Sequence, residues 1–120
     1  MGTWCSRDDS ADSYHYTWTP RLCSLEERHM APLYAIAFDR PDLQHPQCFH
    51  DCVAQNPAIV SWLLVYHNST VIGFLSLYTS GSDIIISNLA VALPYDGKRI
   101  ASEMMDRAKR KVHSLEHSRG

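Results

Sequence analysis

The segment from Leu89 to Ser102 combines the end of a buried strand, a short loop and the start of a helix. The strand ends and the helix begins within five residues, so the loop and first helical turn present unpaired backbone N–H groups. Together with the positive end of the helix dipole, these groups form an anion site suited to phosphate. The small residues Gly97 and Ala101 allow a phosphate to approach the backbone. Lys98 and Arg99 add positive charge for a pyrophosphate or a sugar phosphate.

Composition and motif spacing exclude several other classes of function. The 120 residues carry a net charge of −2, which argues against a strongly basic nucleic-acid-binding protein. No apolar run in the sequence is long enough to cross a membrane. The segment lacks both the Gly-Lys-Ser/Thr ending of a phosphate-binding P-loop and the three glycines of a dinucleotide fingerprint. We expect an intracellular protein, cytoplasmic or nuclear, with reduced thiols, because no secretory signal accompanies its four cysteines.

The elements that position this segment follow an order typical of an α+β domain. Residues 1–13 are polar and predict a disordered tail, and residues 14–120 predict the folded domain. A strand over 14–19 precedes two helices, which are followed by a hairpin over 61–78 and a strand over 83–93. A last helix follows, with apolar residues every three or four positions. This order predicts a mostly antiparallel sheet with helices on its faces.

Particular residues within these elements predict further local structure. Ser24 and Glu27 have the spacing of a capping box, which predicts that Ser24 caps the first helix. Pro32 predicts a kink in this helix or the start of a second one. The apolar run over 83–93 predicts a strand near the sheet centre that is buried on both faces. Asp83, at its entry, is more typical of a turn than of a catalytic base.

The chain resembles the GNAT superfamily of N-acetyltransferases over the whole predicted domain, and most strongly over residues 62–115. The hairpin is similar to the family's second and third strands, and Leu89-Ala90-Val91 is similar to the end of its fourth strand. Residues Tyr95 to Ser102 are similar to the family's acetyl-CoA pyrophosphate loop, which reads Arg/Gln-x-x-Gly-x-Gly/Ala. The three specified positions are occupied here by Asp96, Arg99 and Ala101. Only the last of these matches the family pattern.

The resemblance implies transfer of an acetyl group from acetyl-CoA to an amine, carried by a small molecule or a protein. It assigns cofactor binding to the strand end and the loop: Leu89, Ala90, Val91, Asp96, Gly97, Lys98, Arg99, Ile100, Ala101 and Ser102. In the family, the fourth strand hydrogen-bonds the pantetheine arm through its backbone. Asp96 places a carboxylate near the expected phosphates, and Arg99 places a long side chain where the family has glycine. Neither a catalytic residue nor a metal ligand is assigned.

The family fold continues after this helix with a splayed fifth strand, a further helix that often carries a tyrosine acid, and two more strands. The sequence ends at Gly120, so we expect the N-terminal part of the fold, in a short or C-terminally truncated form. An alternative function is therefore a catalytically inactive binding module. Such a module would pair with a partner, or with a second copy as a homodimer, through the exposed fourth strand.

Other clusters of reactive residues have simpler structural interpretations. His45, Cys48 and Cys52 have a spacing that zinc could use, but a short helix that buries two cysteines is the favoured interpretation. A Cys–His nucleophile can be assembled from the four cysteines and seven histidines, although nothing in the sequence places such a pair together. The basic residues between 107 and 111 are typical of a solvated helix face. Residues 1–6 fit a lipidation pattern or a solvated tail.

Overall fold

In the computed structural model, which describes residues 13–95, 97 and 99–119, four antiparallel strands form one sheet in the order β1-β2-β3-β4. The strands are β1 (His15–Thr19), β2 (Ile59–His67), β3 (Thr70–Ser80) and β4 (Asp83–Val91). The helices are α1 (Ser24–Ala37), α2 (Pro46–Phe49) with its π-helical continuation (His50–Ala54), and α3 (Ile100–Arg119). Short 3₁₀ turns lie at Pro41–Leu43 and Leu93–Tyr95. The predicted α+β fold is confirmed.

The two faces of the sheet support two separate hydrophobic clusters. Side chains alternate along a strand, so Trp62 of β2 faces α1 and α2 while its neighbour Leu63 faces α3. The cluster on the α3 side of the sheet contains the regularly spaced apolar residues predicted for the last helix. The first of them, Ile100, Met104 and Ala108, are all buried. The sheet is therefore a middle layer with helices on both sides, and α3 is held against β3 and β4 by apolar contacts.

Helix α1 begins one residue earlier than the capping box predicts. The backbone N–H of Cys23 donates to Oε1 of Glu26 at 2.8 Å, so Glu26 rather than Glu27 closes the helix start. Glu27 cannot reach back because it is buried on the face that α1 presents to the core, where Met30 also lies. The helix runs through Pro32 without dividing into two, so of the two alternatives predicted there, the start of a second helix is wrong.

Strand β4 has a different environment from the one predicted. Within the described part of the chain it pairs only with β3, and Ala90 is the only one of its residues that is buried. Burial on both faces near the sheet centre is therefore wrong, because an apolar run does not specify how many neighbouring strands pair with it. Asp83 pairs with Ser80 across the β3–β4 turn and is exposed, as expected of a turn residue.

Two further predictions concern the chain ends and the membrane. The predicted tail over residues 1–13, apart from Ser13, and the lipidation pattern over residues 1–6 lie outside the described residues. Among the helices that the structure describes, none has both the length and the apolar character needed to cross a bilayer.

Candidate functional site

Strand β4 contains a β-bulge close to the predicted site. Phe74 pairs with Ala90 and Ser76 pairs with Ser87, so a single residue of β3 lies opposite both Asn88 and Leu89. Asn88 adopts a left-handed φ of 58°, a conformation that asparagine tolerates better than most residues. A bulge leaves backbone groups outside the regular ladder and bends the strand. The end of β4 therefore has a local geometry that the sequence prediction did not include.

A buried hydroxyl fixes the conformation of the bulge. The Ser76 side chain is fully buried, and its Oγ accepts a hydrogen bond from Nδ2 of Asn88 at 2.9 Å. The same hydroxyl donates to the carbonyl oxygen of Ser87 at 3.3 Å. Because buried polar groups are costly without partners, these two bonds favour one conformation of the strand. Asn88, a polar residue within an apolar strand, is the sequence signal that could have indicated the bulge.

The loop after β4 leads into the first turn of α3, in which Ala101 and Ser102 are exposed and Ile100 is buried. Gly97 and Arg99 both adopt left-handed conformations, with φ values of 85° and 65°. The conformation costs a residue such as arginine about 1–2 kcal/mol relative to the right-handed region. It occurs at the position where the family pattern has glycine. The backbone at residue 99 thus has a glycine-like geometry although its side chain is long.

The first amides of α3 are available to an anion. The N–H of Glu103 donates to the carbonyl of Arg99 at 3.1 Å and forms the first bond of the regular helical ladder. The amides of Ile100, Ala101 and Ser102 precede this bond and therefore have no acceptor within the helix. Their position at the positive end of a 20-residue helix suits a phosphate or pyrophosphate.

The entrance to the loop is anchored by an aromatic cluster. The hydroxyl of Tyr95 lies 2.9 Å from Nδ1 of His67, at the end of β2. The ring of Tyr14 packs edge-on against Tyr95 and lies tilted against His67, with centroids 6.1 and 5.1 Å apart. The 3₁₀ turn before the loop is thus joined to the start of β1 and to the β2–β3 turn.

The predicted site residues divide into three groups in the structure. Leu89 and Val91 are partly buried toward α3, Ala90 is buried toward α1, and Ile100 belongs to the α3 core. Gly97, Arg99, Ala101 and Ser102 are exposed. Asp96 and Lys98 lie outside the described residues. Ile100 can therefore contribute only its backbone to a ligand, whereas the other helix-start residues can contribute side chains as well.

A cavity of about 350 Å³ lies beside the bulge on the face that carries α1 and α2. Its lining residues come from α1, the π-helical segment and the adjacent ends of the strands: Tyr34, Cys52, Val53, Asn56, Ile59, Tyr78, Ser87 and Asn88. The lining is mostly polar and contains no acidic or basic side chain. The space is large enough for a small organic group next to the backbone of β4.

A histidine–carboxylate pair that the sequence does not predict joins α1 to the π-helical segment. Nδ1 of His50 lies 2.9 and 3.1 Å from the two carboxylate oxygens of Glu27. The hydrogen bond to Glu27, together with the charge of its carboxylate, raises the pKa of His50. The two residues are 23 positions apart in the sequence, so no local motif identifies them.

We expect this pair to stabilise the fold in a pH-dependent way. A folded-state pKa above the unfolded value of about 6.5 means that the stabilisation is complete below that pH and is lost as the pH rises through the folded pKa. The difference in unfolding midpoint between wild type and His50→Gln should therefore shrink as the pH rises from about 6.5 through the raised pKa of His50. Urea denaturation at several pH values measures this difference, with His15→Gln, at an exposed position of β1, as the matched control. A constant His50→Gln difference would contradict the pairing.

The cysteine cluster does not have the arrangement that zinc requires. Nδ1 of His45 accepts the N–H of Gln47 at 3.1 Å and so caps the start of α2. No group of three metal-binding side chains occurs in the described part of the chain. Cys48 and Cys52 are exposed free thiols, so the favoured interpretation, that the helix buries them, is also wrong.

The basic residues of α3 are partly engaged by neighbouring side chains. Arg107 donates to Glu103 at 2.7 Å, and its guanidinium lies 4.2 Å from the centre of the Tyr16 ring. The ammonium of Lys111 lies 5.5 Å from the centre of the Trp18 ring. These residues pack against β1 through cation–π contacts, rather than forming only a solvated face.

Comparisons with known proteins give a consistent assignment. The chain matches the model of the Acetyltransferase (GNAT) family over residues 20–119, which is most of its length. No curated protein matches the chain.

Solved structures of acetyltransferases share the fold. A ribosomal-protein-alanine N-acetyltransferase from Brucella melitensis biovar Abortus 2308 is 18% identical with a TM-score of 0.65, over 85% of this chain and 73% of that one. The PaiA N-acetyltransferase from Thermoplasma acidophilum, in complex with coenzyme A, is 14% identical with a TM-score of 0.55. That match covers 86% of this chain and 74% of the other.

Proposed function

Because the chain belongs to the GNAT family of acetyltransferases, we propose that it transfers an acetyl group from acetyl-CoA to an amine. The observation that supports this most directly is the contact between the bulged strand and the start of α3. A Cβ built on Gly73 would lie 3.3 Å from the carbonyl oxygen of Ala90 and 3.5 Å from Sδ of Met104. Gly73 of β3 thus lies beside both the end of β4 and Met104 of α3, the two elements that the loop joins.

Under this proposal, the loop and the strand hold different parts of the cofactor. The amides of Ile100, Ala101 and Ser102 would bind the pyrophosphate, because they have no acceptor within the helix. The guanidinium of Arg99, which is exposed, would add a bidentate contact to the phosphates. Backbone groups of Leu89-Ala90-Val91 would bond the pantetheine arm. Acetyl-CoA supplies the thioester that is cleaved.

The chemistry needs a polarised carbonyl and a correctly placed amine. Backbone N–H groups freed by the bulge would polarise the thioester carbonyl. The amine nitrogen would form a bond to the thioester carbonyl carbon as the C–S bond breaks, and the proton that the nitrogen loses would balance the one that the leaving thiolate takes up. The cavity beside Asn88 would hold the amine, because it opens next to the bulge. Holding the two reactants in this orientation is itself a large part of such a rate enhancement.

Titration of the purified chain with acetyl-CoA by calorimetry tests the proposal. We expect saturable binding to one site, and release of free coenzyme A thiol when an amine acceptor is added. If millimolar acetyl-CoA produced no heat and no thermal shift, this result would contradict cofactor binding. Binding without thiol release over a panel of amines would contradict catalysis and favour a non-catalytic module.

One observation favours that second candidate function. Among the residues that the structure describes, β4 pairs with β3 alone, and its Ile85 side chain is exposed. An open apolar strand edge is a site for pairing with another chain. A second copy of the chain, or a partner's strand, would extend the sheet there. Concentration-dependent sedimentation would detect self-pairing.

A further inference from the structure

A larger cavity, of about 540 Å³, lies between the β1–α1 connection, the π-helical segment and the start of β2. Its volume is typical of a site for a small organic ligand. Leu22, Ile59 and Trp62 provide an apolar part of its lining. The charged and titratable residues that line it are Arg21, Glu27 and His50. The cavity therefore combines one carboxylate, one guanidinium and one imidazole around an apolar surface.

The Glu27 carboxylate has unused capacity to accept hydrogen bonds. Its residue is only 9% exposed, and in the described part of the chain the ring of His50 is the only side chain that donates to it. An ionised carboxylate has about four acceptor positions, and the ring supplies a single N–H. Burying a carboxylate is costly unless its remaining positions are satisfied. A ligand ammonium in the cavity would satisfy them.

Arg21 provides the opposite charge at the same cavity. Its side chain is exposed, and no carboxylate lies within ion-pair distance of it among the residues described. A guanidinium binds a carboxylate in a bidentate geometry. The guanidinium of Arg21 would repel a purely cationic ligand. A zwitterion would instead offer a carboxylate to Arg21 and an ammonium to Glu27.

We propose that this cavity binds a free amino acid with an aliphatic side chain. Its ammonium lies at Glu27, its carboxylate at Arg21, and its side chain against Leu22, Ile59 and Trp62. The site goes beyond the proposed acetyl transfer, because it requires neither acetyl-CoA nor the loop before α3. It adjoins the cavity beside the bulge, since Asn56 and Ile59 line both.

Three related probes separate the contributions of the ligand's ammonium and carboxylate to binding. Leucine carries both, leucinamide lacks the carboxylate, and N-acetylleucine lacks the ammonium. We expect Glu27→Gln to weaken leucine and leucinamide binding by about tenfold or more, as loss of a charge-assisted hydrogen bond implies. We expect Arg21→Gln to weaken the binding of leucine but not the binding of leucinamide. Asp51→Asn removes the same charge from an exposed neighbour of His50 and should leave every affinity unchanged.

A second measurement does not depend on any variant. Nuclear magnetic resonance titration of the wild-type chain without acetyl-CoA reports the pKa of His50 directly. Leucine and leucinamide should lower this pKa, because their ammonium shares Glu27 with the ring, whereas N-acetylleucine should not. An identical response to all three probes, or no response to millimolar leucine, would overturn the proposal. Either result would leave the proposed acetyl transfer untouched.

Discussion

Replacing Ala101 with glutamate is expected to weaken acetyl-CoA binding by about tenfold or more, as measured by calorimetry. Ala101 is exposed in the first turn of α3, beside the amides that are proposed to bind pyrophosphate. A carboxylate there would repel the phosphates and would also occupy the space that alanine leaves open. The fold should not suffer, because an acidic residue in the first helical turn interacts favourably with the helix dipole.

A neutral variant of the same size separates charge from bulk. Ala101→Gln fills nearly the same space without the negative charge, so we expect its loss of affinity to be smaller than that of Ala101→Glu. Equal affinities of both variants and wild type would show that the pyrophosphate does not bind at this turn. Unfolding midpoints of the variants show whether each remains folded at the temperature of the titration.

Replacing Met104 with alanine is expected to lower the free energy of unfolding by about 2–5 kcal/mol. Met104 is 0% exposed, and it packs where α3 crosses the strands near Gly73. Truncation would remove buried apolar surface and leave a cavity that the backbone cannot fully close. Urea denaturation with linear extrapolation measures the loss.

The neighbouring methionine is a matched control. Met105 is only partly buried, so Met105→Ala removes the same atoms with less loss of packing and should cost about half as much or less. Equal losses for the two variants would contradict the orientation of α3 against the sheet.

The parts of the fold that depend on local periodicity are predictable from the sequence. The buried face of α3 follows from the spacing of Ile100, Met104 and Ala108, and the structure buries all three. The β2–β3 hairpin follows from two apolar runs joined by Asn68-Ser69, both of which take the left-handed conformation that a tight turn needs. These features are predictable because residues close together in the sequence determine them.

The missed features depend on contacts between distant segments. The spacing of Ser24 and Glu27 fits a capping box as well as that of Cys23 and Glu26, the pair that forms. Glu26, however, also accepts a hydrogen bond from the hydroxyl of Tyr66 at 2.6 Å. That contact spans 40 positions, and it leaves Glu27 free to meet His50. Local sequence contains no information about either partner, so both the helix start and the second cavity required the tertiary structure.

The bulge at Asn88 changes the phase of the β4 side chains. Before it, the even-numbered Ile84 and Ile86 face α3, and after it, the odd-numbered Leu89 and Val91 face the same helix. If Asn88 instead lay in a regular ladder, a strict period of two would direct these two pairs to opposite faces. The bulge thus accommodates Asn88 as an extra residue and keeps the apolar residues of both halves on one side of the sheet. A deletion of this single residue would restore a strict period of two with Leu89 and Val91 still facing α3, so the strand would lose its bulge and the bond to Ser76 but keep the facing of both halves.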